Sequence, residues 1–88
     1  MKIKEGFVIE KVGESYLAVA VGGESFSGLV RMNSTGAFLW NIMSEASVSE
    51  DELVARLLSA YEDVTEEVAR AGVSEFCKKL IDAGILED

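Results

Sequence analysis

The sequence predicts an α+β fold, a three-stranded antiparallel sheet followed by three helices, on three observations. β-rich apolar runs crowd the first third of the chain, and apolar residues at helical spacing fill the rest. Capping residues stand ahead of the helical stretches. Helices gathered on one face of a small sheet give each element a place to bury its apolar side.

Phe7, Val8, Ile9, Glu10, Lys11 and Val12 form the first β-rich run, and Gly13-Glu14 supplies a turn signal after it. Tyr16, Leu17, Ala18, Val19, Ala20 and Val21 form the second. Two such runs joined by a short glycine-containing loop predict an antiparallel hairpin, ended by Gly22-Gly23. After a loop through Phe26, a third short strand is expected over residues 28–32, Gly-Leu-Val-Arg-Met.

Asn33 or Ser34 caps the first helix, which continues through Thr35, Gly36, Ala37, Phe38, Leu39, Trp40, Asn41, Ile42 and Met43. Ahead of the second, Ser49 and Glu52 stand at capping-box spacing, with Val48 and Leu53 flanking the cap as a hydrophobic staple. Leu53, Val54, Leu57, Leu58 and Tyr61 then recur on one face. The third helix begins at Thr65, with Glu66 and Glu67 near the positive end of its dipole. It runs to about residue 83, with Lys78 and Lys79 in the last turns and Gly84 as a left-handed stop. Ile85-Leu86 folds back as a short apolar tail.

Eighty-eight residues make one domain, residues 1–88, with room for one modest core, and an apolar fraction of 49% is ample to fold it. There is no proline, no linker-like segment and no internal repeat. The N-terminal stretch lacks the long apolar run and cleavage site of a signal peptide, and no apolar run approaches a bilayer span. A soluble, cytoplasmic protein is expected. With no histidine, imidazole metal sites and histidine acid–base catalysis are excluded. One cysteine, Cys77, makes neither an internal disulfide nor a multi-cysteine zinc site. Sixteen acidic against eight basic residues give a net charge of −8. That charge disfavours nucleic acid and anionic membranes, and is compatible with a basic peptide or a basic patch on an enzyme.

Catalytic candidates have plainer readings. Glu50-Asp51-Glu52 and Glu66-Glu67 sit at helix starts, where dipole compensation accounts for them. Ser44, Ser47 and Ser49 fit no nucleophile motif, and Gly22-Gly23 lacks the lysine and spacing of a phosphate loop. Cys77, within a helix, reads as a buried core thiol.

Two elements carry more apolar surface than one packed neighbour requires. On the third helix, at about 100° per residue, Val73, Phe76 and Leu80 centre an apolar arc with Ala69 beside them. Cys77 and Ile81 extend that arc on one flank, next to Arg70 and Ser74. Either the helix is buried on two sides, or this flank lines a groove. On the first helix, Trp40 and Met43 read as core, and Phe38 as a partly exposed partner contact. The third strand has no sequence-adjacent partner on its far side. It is either an ordinary protected edge or a margin that accepts an added strand.

The segment from Arg31 to Trp40, Arg-Met-Asn-Ser-Thr-Gly-Ala-Phe-Leu-Trp, resembles the strand-to-helix junction of pyrroloquinoline quinone synthesis protein D and its relatives, the PqqD-like family. Residues 73–80 followed by Ala83-Gly84-Ile85-Leu86 resemble the family's last helix and tail. Residues 51–61 resemble its second helix, and Tyr61-Glu62-Asp63-Val64 resembles the link that leaves that helix. The resemblance covers essentially the whole chain. It implies a winged helix-turn-helix-like fold and a non-catalytic role with no cofactor: recognition of a precursor's leader peptide in the biosynthesis of ribosomally made, modified peptides. The leader would be presented, chaperone-like, to a modifying enzyme, often of the radical S-adenosylmethionine type. It further implies that the leader adds as a strand to the third strand, against Leu29, Val30 and Arg31, and lies along the last helix, against Arg70, Ser74, Cys77 and Ile81. Thr35, Gly36 and Trp40 would be structural.

Two other readings stand beside this one. The order of elements suits a DNA-binding winged helix, but the last helix sets Arg70, Lys78 and Lys79 against Glu66, Glu67, Glu75 and Asp82, poor for phosphate contact. A protein-only adaptor would use the same apolar strip. An exposed edge strand also permits a homodimer by pairing or swapping.

Overall fold

In the computed structural model, which describes residues 1–20 and 29–87, the order of elements is β1 (Lys2–Ile3), β2 (Phe7–Val12), β3 (Ser15–Ala20), β4 (Leu29–Met32), α1 (Ser34–Glu45), α2 (Glu50–Ala60), α3 (Glu66–Asp82) and β5 (Leu86–Glu87). The α+β arrangement of three antiparallel strands followed by three helices is thus present, with a pair of two-residue strands added. Gly22-Gly23, the expected loop through Phe26, Val21 and Gly28 lie outside the described residues.

β2 and β3 pair antiparallel from Phe7↔Ala20 to Val12↔Ser15, and Gly13-Glu14 turns between them. Gly13 has a φ of +62°, the left-handed conformation that such two-residue hairpins draw on and that glycine adopts without steric cost. β3 pairs on its other side with β4, from Tyr16↔Met32 to Val19↔Leu29, giving the order β2-β3-β4. Because side chains alternate across a strand, this register gathers Ile9, Ala18 and Val30 on the face that meets the helices. The opposite face carries exposed Val8 and Val12.

Each helix starts where its cap dictates. The Asn33 side chain accepts from the Gly36 N–H at 2.8 Å, so Asn33 rather than Ser34 is the cap of α1. Ser49 and Glu52 form the full capping box of α2, and Thr65 accepts from the Val68 N–H at the start of α3. Their acidic first turns need no other explanation. At the far end of α3, Gly84 (φ +73°) reverses the chain, and the Ile85 N–H donates to the Leu80 carbonyl.

That reversal produces a feature the sequence pattern does not announce. The tail does fold back as expected, but as β5, paired antiparallel with β1 through Lys2↔Glu87 and Ile3↔Leu86. The core gathers Ala18, Val30 and Met32 from the sheet, Leu39, Trp40 and Met43 from α1, Leu53, Val54 and Leu57 from α2, and Ala69, Val73, Cys77 and Leu80 from α3. Ile3 of β1 and Ile85, just ahead of β5, close it. Trp40 meets Phe7 edge to face at 5.6 Å between ring centres. Phe38 is half-buried and makes the same kind of contact with Tyr61 at 5.7 Å, so much of the ring read as a partner contact is spent within the molecule.

Candidate functional site

Two surfaces meet at the margin of β4. The order β2-β3-β4 leaves β4 at the edge, and among the described residues no strand covers its far side. α3 lies against that side: the Lys79 ammonium donates to the Arg31 carbonyl at 2.6 Å. In an antiparallel ladder the backbone groups of alternate residues point to alternate neighbours. A carbonyl reached from α3 therefore points away from β3, and the N–H and C=O groups of Arg31 and Leu29 form a row along the open margin.

Beside the margin runs a groove of about 580 Å³. One wall is the β4–α1 junction, with Met32, Asn33, Thr35 and Gly36. The other is one stripe of α3, with Val68, Gly72, Glu75, Phe76 and Lys79 at i, i+4, i+7, i+8 and i+11. Leu57 and Tyr61 at the end of α2, with Val64 in the link to α3, close one end. Apolar surface predominates in the lining, interspersed with Ser15, Asn33, Thr35, Glu75 and Lys79, a mixture found in binding clefts. At its mouth Val68 is 63% exposed, an apolar side chain left to solvent.

Two glycines shape this groove in opposite ways. At Gly36 a Cβ would stand 2.9 Å from Met32 Cβ and 3.2 Å from the Phe76 ring, so glycine there lets β4, α1 and α3 close up. At Gly72 a Cβ would meet nothing within 4 Å. Glycine inside a helix costs about 1 kcal/mol relative to alanine, and nothing in the fold requires it at this position. Its effect is to leave open space on the groove wall.

The seven residues singled out by sequence are not brought together. Leu29, Val30 and Arg31 form most of β4, but the Val30 side chain is buried in the core, leaving backbone and Arg31 at the margin. Arg70, Ser74 and Ile81 are exposed on the other flank of the α3 arc. Arg70 there holds Asp51 at 2.8 Å and Glu66 at 3.4 Å, hydrogen bonds that keep its guanidinium more firmly protonated than usual. Arg70 and Ser74 border a shallower depression with Val48, Ser49 and Asp51.

Cys77 requires a correction. It agrees with its reading as a core thiol but not with the groove position implied by the resemblance: it is 2% exposed, facing inward between the two flanks. Burial raises its pKa to about 11. Val68, Gly72 and Lys79, which the sequence did not single out for the groove, lie along the opposite border of the same arc, beside Phe76.

The cations of α3 are largely engaged, Arg70 with Asp51 and Glu66, and Lys79 with β4. Among the described residues no three His, Cys, Asp or Glu side chains are grouped to hold a metal ion, and no helix is long and apolar enough to cross a membrane.

Comparison with known proteins agrees with this architecture. The family model described as coenzyme PQQ synthesis protein D (PqqD) matches residues 16–86. The solved structure of TbiB1 in complex with the TbiA(beta) leader peptide superposes with a TM-score of 0.74 at 17% sequence identity, covering 99% of this chain and 95% of that one. No curated protein matches the chain in sequence.

Proposed function

For a chain that belongs to the family of coenzyme PQQ synthesis protein D, we propose the binding of a precursor's leader segment and its presentation to a modifying enzyme. The domain is non-catalytic in this reading, and the enzyme is of the radical S-adenosylmethionine type. The observation that carries it is the coincidence of an open β4 margin with an apolar groove whose wall is lowered at Gly72. The leader adds antiparallel or parallel to β4 through its backbone, and its apolar side chains on one face enter the groove between β4 and α3. TbiB1, which shares the fold, is solved with a leader peptide, and that supports the same class of ligand for this chain.

Backbone pairing gives affinity with little dependence on sequence, while the groove selects side chains. The lining favours aliphatic or aromatic residues: Phe76, Leu57, Val64 and Val68 offer no fixed donor or acceptor. Gly72 provides the test. Gly72→Ala keeps the groove open and favours the helix by up to about 1 kcal/mol, whereas Gly72→Leu adds a bulky side chain on the groove wall at a position whose Cβ meets nothing within 4 Å. Binding of the leader from a precursor encoded beside this chain, followed by fluorescence anisotropy, should stay within about threefold for Gly72→Ala. For Gly72→Leu it should weaken at least tenfold, about 1.4 kcal/mol, with melting temperature maintained. Equal affinity for both variants and the parent contradicts the groove's role.

A further inference from the structure

Lys79 occupies the very acceptor that an added strand needs. Its ammonium lies 2.6 Å from the Arg31 carbonyl, on the margin facing away from β3. The choice of partner is informative. Glu75 stands one turn earlier on the same stripe of α3, the favourable order for a Glu–Lys pair at i, i+4. Yet among the described residues no ion pair joins them, and Lys79 reaches across to the strand instead.

The charge around the groove also departs from that of the molecule. Lys79 and Glu75 balance on the α3 wall, in a chain of net charge −8, while the alternation that buries Val30 turns the Arg31 side chain to the opposite face of the sheet. A guest strand that takes the Arg31 carbonyl with its own N–H must share or displace the ammonium. A neutral guest leaves a displaced Lys79 only water or a weak, exposed i, i+4 pair with Glu75. A guest carboxylate beside this point replaces the lost hydrogen bond with a charge-assisted one.

We propose that Lys79 is a specificity residue that selects an acidic side chain in the guest strand next to the residue paired with Arg31. Without a guest it holds the margin, and with a matching guest it transfers from the carbonyl to the guest carboxylate. Exposed lysines on sheet edges also discourage unwanted pairing, so the same contact disfavours strands that lack the acid. The proposal rests on strand addition at β4, and it replaces the basic peptide that net charge alone would allow with an apolar, acid-bearing one.

The test pans a random dodecapeptide display library against the full chain and two variants of this exposed position, Lys79→Met and Lys79→Glu, each checked for folding by circular dichroism. The parent should enrich Asp and Glu at least threefold at one fixed offset from an apolar consensus. Lys79→Met should keep the consensus and lose the acid bias, and Lys79→Glu should turn it to Lys and Arg. The same consensus from all three proteins with no change in charge bias overturns the role of Lys79 and leaves strand addition standing. Failure of the folded parent to enrich any consensus overturns strand addition itself, and the role of Lys79 with it.

Discussion

Among the described residues, Cys77 is a side chain whose chemistry the fold alters strongly. Its thiol is enclosed in the core, and desolvation raises its pKa from an ordinary 9.0 to about 11. The thiolate, not the thiol, is the nucleophile, so the native protein is expected to resist alkylation by iodoacetamide at pH 8 while the urea-unfolded chain reacts fully. Because the folded pKa lies above the unfolded one, the contribution of the neutral thiol to stability is complete below about pH 9. It is lost as pH rises from there through about 11. Denaturation midpoints should therefore fall between pH 9 and 11 in the parent and less so in Cys77→Val. An unchanged slope in that variant contradicts this account.

At the scale of elements, β4, α1 and α3 fit closely at their junction. Gly36 lies on the first turn of α1 with Met32 behind it and Phe76 across, and Met32 cannot retreat without moving the edge strand. Gly36→Ala gains helix propensity, but overpacking costs typically 1–3 kcal/mol. The net expectation is a loss of about 1 kcal/mol, or roughly 5 °C in melting temperature for a chain of this size, read by thermal denaturation. A rise in melting temperature contradicts the close fit. Caps of this kind were legible in sequence because their geometry is local: Asn33, Ser49 with Glu52, and Thr65 each bind a backbone N–H three residues on. The pairing of β1 with β5 was not legible, since each strand has two residues and they come from opposite ends of the described chain. The apolar arc of α3 was legible, and its two borders look alike on a helical wheel. Only the position of β4 distinguishes them, placing Val68, Gly72 and Lys79 on the groove and Arg70, Ser74 and Ile81 away from it.

For the whole molecule, the helices bury one face of the sheet and leave its β4 edge beside a groove, the two features that strand addition uses. The most direct measurement is a titration of isotope-labelled protein with the leader segment, followed by amide chemical shifts. Movement of the Leu29 and Arg31 amides together with those of residues 68–79 on α3, and slowed hydrogen exchange along β4, is the predicted result. Shifts confined to Arg70, Ser74 and Ile81, with the β4 amides unmoved, would show that the guest does not join the sheet.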